Sequence, residues 1–367
     1  MTTKSVTRVQ DGAALIAMAV LSFTAAHASA QTSPDDAKRA APAAFAAPKT
    51  SWGDPDLQGT WTTDAAYSIP LQRPTKFGTR AELTDQELKE KADRVARRQA
   101  NAKQGGSGNI PSLSQDATWM TRTFRQNSLI VDPPDGRMPP MTPEAQQRQT
   151  AEPQGTYGNG PLDGPEDFNL YERCVTLGVV GSLVPKIYGN GHRILQTPGL
   201  VAIMNEMIHE ARIVPLDGRP YPGKNIKMYM GASRGHWEGG TLVVETRNLN
   251  GKNIFLPAGP TIVERFTRVE PDLLTYEAII DDPTTYTKPI RISIPLTSPQ
   301  GFQVLPYDCH EGNYALLQAL GGERAEDRAL EEDRKKGIIR PRRPVQDGLG
   351  ISGSPVSERI TELEAEP

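Results

Sequence analysis

From residue 191 onward the chain alternates apolar and polar residues with a period of two. "HRILQT" and "LVAIMNEMIHEARIV" flank a Pro-Gly turn at 198–199. "ASRGHW" and "TLVVETRNL" flank Glu238-Gly239-Gly240, and "TIVERFTRVEPDLLTYEAIIDD" turns at Glu270-Pro271-Asp272. "KPIRISIPL" sets Ile290, Ile292 and Ile294 against Arg291 and Ser293, and "FQVLPYDCHEGNY" closes the series. Alternation of this kind makes half-buried strands, because successive side chains point to opposite faces. Short turns between them predict an antiparallel up-and-down sheet of about eight strands. A further strand at 58–64, carrying Gly59 and Trp61, would let the sheet close into a barrel and remove its exposed edges. The predicted fold class is therefore mainly β, an antiparallel barrel.

Helical periodicity is confined to two places. Residues 82–103 carry one narrow stripe (Leu83, Leu88, Ala92, Val95, Ala96), with Thr84 and Glu87 spaced as a capping box. Residues 312–335 predict a helix broken at Gly321-Gly322, followed by an extended or disordered charged tail at 337–367. Between them, 105–190 is rich in Gly and Pro, and Pro133, Pro134, Pro139 and Pro140 exclude a central strand there. Trp119, Phe124, Tyr157, Phe168 and Tyr171 predict that this stretch drapes over the barrel. The expected organisation is a signal peptide at 1–30, a flexible leader at 31–51, and one barrel domain at 52–320. That domain carries a loop-and-helix insertion at about 66–190, and a short helix and tail follow at 321–367.

The amino terminus changes the picture of compartment. Lys4 and Arg8 precede an apolar run at 13–25 that is short for a membrane span, and Ala28 and Ala30 suit a signal peptidase. Cleavage after Ala30 predicts a periplasmic or secreted product without a membrane span. In such a compartment Cys174 and Cys309, the only two cysteines, most simply pair. The net charge of −3 and the absence of a basic patch interleaved with aromatics argue against a nucleic-acid partner.

Four histidines follow the predicted cleavage point: His192, His209, His236 and His310. Imidazole near carboxylate is the commonest acid–base arrangement at ordinary pH. His209, Glu206, His236 and His310 are therefore the candidate catalytic residues. Arg212 or Arg219 is the candidate anion holder, and Trp237 and Tyr307 are the candidate ligand-binding aromatics. If 200–214 were one regular strand, Glu206 and Arg212 would face one way and His209 the other; a β-bulge would reverse that relation. His236 and Trp237 are neighbours on a strand, so one of them points inward. Arg137 and Arg219 each sit in an Asp-Gly-Arg turn that suits either a solvated side chain or a carboxylate clamp. No HExxH, G-x-S-x-G or phosphate-binding loop is present, so neither a metal nor a cofactor is expected.

The segments "SRGHWEGGTLVVET", "VERFTRV", "DDPTTYTKP" and "CHEGNY", with "SLIVDPPDGRMPPMTPEA" and "EMIHEARIVPLDGR", resemble a largely uncharacterised family of exported bacterial proteins across about 52–320. That resemblance implies export and assigns no catalytic residue. Gly59-x-Trp61 is similar to the signature of lipocalin-like (calycin-like) barrels, in which the tryptophan plugs one barrel end. Such barrels include cofactor-free phenolic acid decarboxylases. The resulting expectation is a cofactor-independent acid–base lyase acting on a small hydrophobic or aromatic molecule bearing a carboxylate or phenol. The alternatives are a small-molecule carrier without turnover and a metal-dependent hydrolase built from the histidines with Asp308 or Glu311.

Overall fold

The computed structural model describes residues 45–103, 120–151, 162–252 and 261–342. The predicted signal peptide, residues 31–44 of the leader and the tail beyond Arg342 lie outside them. Ten strands form one sheet: β1 (Gly59–Thr62), β2 (Ile130–Asp132), β3 (Gly191–Thr197), β4 (Leu200–Asn205), β5 (Ala211–Pro215), β6 (Ala232–Glu238), β7 (Thr241–Arg247), β8 (Thr261–Glu270), β9 (Leu273–Asp281) and β10 (Ile290–Thr297). Their order is β5-β4-β3-β1-β10-β9-β8-β7-β6, with β2 added on β10, and every strand pair is antiparallel. The two edges approach each other. A Cβ on Gly235 of β6 would lie 2.8 Å from Val214 of β5 and 2.7 Å from Leu216. Glycine is what permits that approach, and the sheet is a nearly closed barrel.

The alternation seen in the sequence becomes rows across the barrel interior. Leu242, Phe266, Tyr276 and Ile294 form one row, and Val244, Glu264, Ala278 and Ile292 the next. Phe266 and Tyr276 rings sit 5.0 Å apart. Trp61 is 1% exposed, its indole N–H donates to the Leu57 carbonyl at 3.0 Å, and the Arg268 guanidinium lies 5.5 Å from its ring. Buried apolar side chains from these strands form one continuous core cluster.

Three expectations are corrected by the backbone, and one of them is the closing strand expected in 302–314, where no strand forms. Residues 200–214 are not one long strand. The chain reverses through a 3-10 turn at Met207–His209, with Ile208 and His209 at φ of 62° and 42°. The turn resets the strand phase. Arg212 pairs with Ile203 and joins the inner face, whereas Glu206 stays at the rim. The third correction is the last helix, which runs unbroken through Gly321-Gly322.

Among the described residues three α-helices accompany the sheet: α1 (Asp85–Lys103), α2 (Pro143–Ala151) and α3 (Tyr314–Lys335). At α1, Glu87 N donates to Thr84 Oγ1 at 3.3 Å and Thr84 N to Glu87 Oε2 at 2.8 Å, completing the capping box. In α3, glycine retains its backbone N–H and costs only about 1 kcal/mol against alanine. Ion pairs from Arg340 to Glu326 and Asp333, and from Arg342 to Glu323 and Asp327, bind the following segment back onto that helix. The insertion contributes Leu129 and Ile130 to the main core, with β2 ending before Pro133. Among the described residues no helix is long and apolar enough to cross a membrane.

Candidate functional site at the β4–β5 rim

Three of the four non-glycine residues with positive φ among the described residues, Cys174, Ile208 and His209, gather at one rim of the barrel. A β-branched residue such as Ile208 adopts this conformation only when its surroundings enforce it, at a cost of order 1–3 kcal/mol. Here the enforcement is visible. Met207 and Ile208 are buried with Leu177, against Tyr171, Tyr307 and Cys309. The Cys174–Cys309 disulfide, with Cα atoms 5.8 Å apart, ties the two loops that cover the turn.

Glu206 stands at the start of this turn and is half-buried. Its Oε2 accepts the Gly191 N–H at 2.9 Å, and its Oε1 accepts the Leu305 N–H at 3.3 Å. A side chain at 191 would collide with that carboxylate. Burial raises the Glu206 proton affinity; the two N–H groups oppose it, Asp64 adds to it and Lys186 counters it. Asp64 is buried and also raised by desolvation, against hydrogen bonds from Thr62 Oγ1 (2.6 Å) and Asn190 Nδ2 (2.8 Å). Lys186 keeps partial exposure along its stem. Its ammonium turns inward onto the carbonyls of Val184 (2.8 Å), Ser182 (2.9 Å) and Gly181 (3.4 Å). Desolvation there pulls its pKa down to about 7, with Asp64 and Glu206 opposing. The fields of Asp64, Lys186 and Glu206 therefore act on one another at this rim.

His192 faces the interior beneath the rim and is 1% exposed. Its Nδ1 pairs with Asn205 Oδ1 at 2.9 Å, and its Nε2 has no partner among the described residues. Burial, reinforced by Lys186, depresses its pKa from 6.5 to about 3, so the ring is neutral at ordinary pH. The stability linked to this group is fully present above about 6.5 and is lost as pH falls toward 3. By pH 4 the loss amounts to about 3 kcal/mol. We expect the unfolding free energy of His192→Gln, measured by urea titration at pH 7 and pH 4, to fall less over that interval than that of the unsubstituted protein. Equal falls would mean that the folded protein protonates His192 as readily as the unfolded chain does.

Beside Glu206 lies an aromatic surface. Tyr188 and Tyr307 rings stack with centroids 6.2 Å apart and planes 26° apart, and the Tyr171 and Tyr188 hydroxyls are 3.5 Å apart. Ile187 and Leu305 extend it into solvent at 48% and 56% exposed. Burial drives the Tyr171 hydroxyl upward, so it stays protonated. His209 is exposed next to this surface, its Nδ1 2.9 Å from the Tyr307 carbonyl oxygen.

Of the residues chosen from sequence, the rim unites Glu206, His209, Tyr307, Cys174 and Cys309. His310 is exposed, one position beyond Cys309. The others lie elsewhere. Arg212 is buried inside the barrel against Glu264, and Arg219 pairs with Asp217 on the surface. His236 points outward on β6 and bonds Glu238 at 3.2 Å, while Trp237 packs on the core. Arg137 donates to the Arg73 carbonyl at 3.0 Å. Asp64, Lys186 and Tyr188 were not anticipated. Their only trace in the sequence is short-range, in "TWTTDA" and "PKIYGN", and their grouping is made by the fold. Among the described residues no three His, Cys, Asp or Glu side chains are grouped as a metal ion would require. Comparison with known protein families, with curated proteins and with solved structures finds no match to this chain.

Proposed function

We propose that the protein is an exported acid–base enzyme of the lyase type, acting on a small aromatic molecule that bears a carboxylate or phenol. The observation that carries this reading is Glu206, a carboxylate whose proton affinity is raised by burial and whose Oε1 accepts the N–H of Leu305, two residues before Tyr307 of the stacked Tyr188–Tyr307 pair. The aromatic face would hold the ring of the substrate. Glu206 would take a proton from the bound molecule and return it, as in a decarboxylation or an elimination. His209 is exposed at the same edge and would assist proton exchange with solvent. The ammonium of Lys186 favours the ionised form of Glu206, so loss of its proton near pH 7 would shift Glu206 toward its protonated form. The disulfide suits an oxidising compartment, which supports the periplasmic or secreted location.

The test is turnover of a panel of hydroxylated aromatic carboxylates, followed by product analysis. Glu206→Gln is expected to lower kcat/KM by about 10²–10⁴-fold, the usual worth of a positioned acid–base group. Lys186→Gln is expected to abolish the alkaline limb of the pH profile. Unaltered turnover in Glu206→Gln would end the proposal. A second reading, a carrier without turnover, is favoured by the commitment of both Glu206 oxygens to backbone N–H groups. It predicts ligands that raise the thermal midpoint and emerge unchanged.

A further inference from the structure

Arg73 is 1% exposed and carries a charge without an ion-pair partner among the described residues. Its Nε donates to Asn127 Oδ1 at 2.9 Å and its Nη1 to the Pro134 carbonyl at 2.6 Å, which leaves Nη2 without an acceptor among those residues. Asp135 is the acid whose field reaches the guanidinium, but its Oδ1 accepts the Arg137 N–H and forms no bridge to Arg73. Gly136 presses against the guanidinium so closely that a Cβ there would lie 2.9 Å from its central carbon. Buried charges are otherwise paired or ligand-bound, because desolvation of a lone charge is costly.

The guanidinium borders a cleft of about 230 Å³ lined by Arg73, Ala81, Glu82, Gln126, Ser128 and Val131. Two features there have the opposite polarity. Glu82 is exposed, and its carboxylate makes no ion pair among the described residues. Gln126 spends its amide nitrogen on the carbonyls of Ser128 (2.6 Å) and Ser293 (2.8 Å), which leaves its Oε1 as an acceptor. The cleft thus offers the unpaired Nη2 of one guanidinium and two acceptors in a space equal to roughly eight waters' share of liquid. A dianion such as phosphate would meet Glu82 unfavourably, whereas a molecule with a carboxylate at one end and an ammonium at the other satisfies all three groups.

The geometry points to a binding site for a small α-amino acid in this cleft, with Arg73 receiving the carboxylate and Glu82 and Gln126 receiving the ammonium. It shares no residue with the β4–β5 rim and does not depend on the reaction proposed there. A charge-assisted hydrogen bond from Arg73 Nη2 to the carboxylate supplies directionality.

Isothermal titration of the folded protein with glycine, alanine, serine and valine tests the site, with acetate and ethylamine as half-ligands. At least one amino acid is expected to bind with a stoichiometry of one and at least tenfold more tightly than either half-ligand. Glu82→Gln, a change at an exposed unpaired carboxylate that leaves folding intact, is expected to weaken amino-acid binding about tenfold and to strengthen acetate binding. Arg73→Lys is expected to weaken both, with circular dichroism reporting whether it folds. No saturable heat with any of the four amino acids would overturn the proposal. So would an affinity that Glu82→Gln leaves unchanged, whatever Arg73→Lys does.

Discussion

Replacing Glu264 with glutamine is expected to cost about 3–5 kcal/mol of unfolding free energy, because it strands a buried guanidinium. Arg212 and Glu264 face each other inside the barrel with side chains 6% and 0% exposed. Arg212 Nη2 donates to Glu264 Oε1 at 2.8 Å, and Nη1 bonds Oε2. The Tyr276 hydroxyl donates to Glu264 Oε1 at 3.1 Å, and Thr246 Oγ1 lies 3.4 Å from Arg212 Nη1 and 2.8 Å from Ser233 Oγ. Burial works against the charge on Arg212, but Glu264 outweighs it and holds the guanidinium more firmly charged than usual. Removing one partner therefore costs more than the pair itself contributes. The double substitution Arg212→Met with Glu264→Leu removes both charges and is expected to recover most of the loss. Urea titration at pH 7 measures both. A loss below 1 kcal/mol in Glu264→Gln would show that water reaches the pair.

The second large effect is expected at the disulfide. Cys174 and Cys309 are 135 residues apart in sequence, and closing a loop of that length stabilises the folded state by about 5 kcal/mol in the chain-entropy model. Cys174→Ser with Cys309→Ser is expected to lose a large part of this, within the usual 2–5 kcal/mol. The loss should fall unevenly. The disulfide covers the turn that holds Ile208 at positive φ, so amide exchange at 206–210 should accelerate more than exchange in β8 and β9. Uniform acceleration across the barrel would show that the bridge acts through the unfolded chain alone. A loss of less than 1 kcal/mol would contradict the loop-closure account.

Much of the barrel was legible because its signal is local. Period-two alternation needs only neighbouring residues, and β6 to β10 are consecutive hairpins whose turns carry Gly, Pro and Asp. The capping box at Thr84 and Glu87 is likewise a three-residue matter. The same local logic failed at 207–209. Nothing in "NEMIHEA" marks a reversal, since Ile208 is a poor residue for positive φ and is held there by Leu177 and the cysteine loops. Missing that turn put Arg212 on the wrong footing as a ligand-holding residue, because its phase on β5 depends on it. Glu264 was equally hidden. In "TIVERFTRV" it reads as one polar residue among others, and only its row with Val244 and Ala278 shows that it lies inside.

The sequence by itself determined the mainly β class and the hairpin series, since these follow from side-chain alternation and turn chemistry between near neighbours. The pairing of its two cysteines followed from there being only two. Tertiary structure alone decided that β1 lies between β3 and β10, joining residues 59–62 to 191–194. It also decided that Arg212 and Glu264 meet inside the barrel, and that Asp64, Lys186 and Glu206 share one rim. The reason is physical. Proton affinity and ligand geometry depend on desolvation and on contacts between segments more than a hundred residues apart, and no spacing along the chain records those distances.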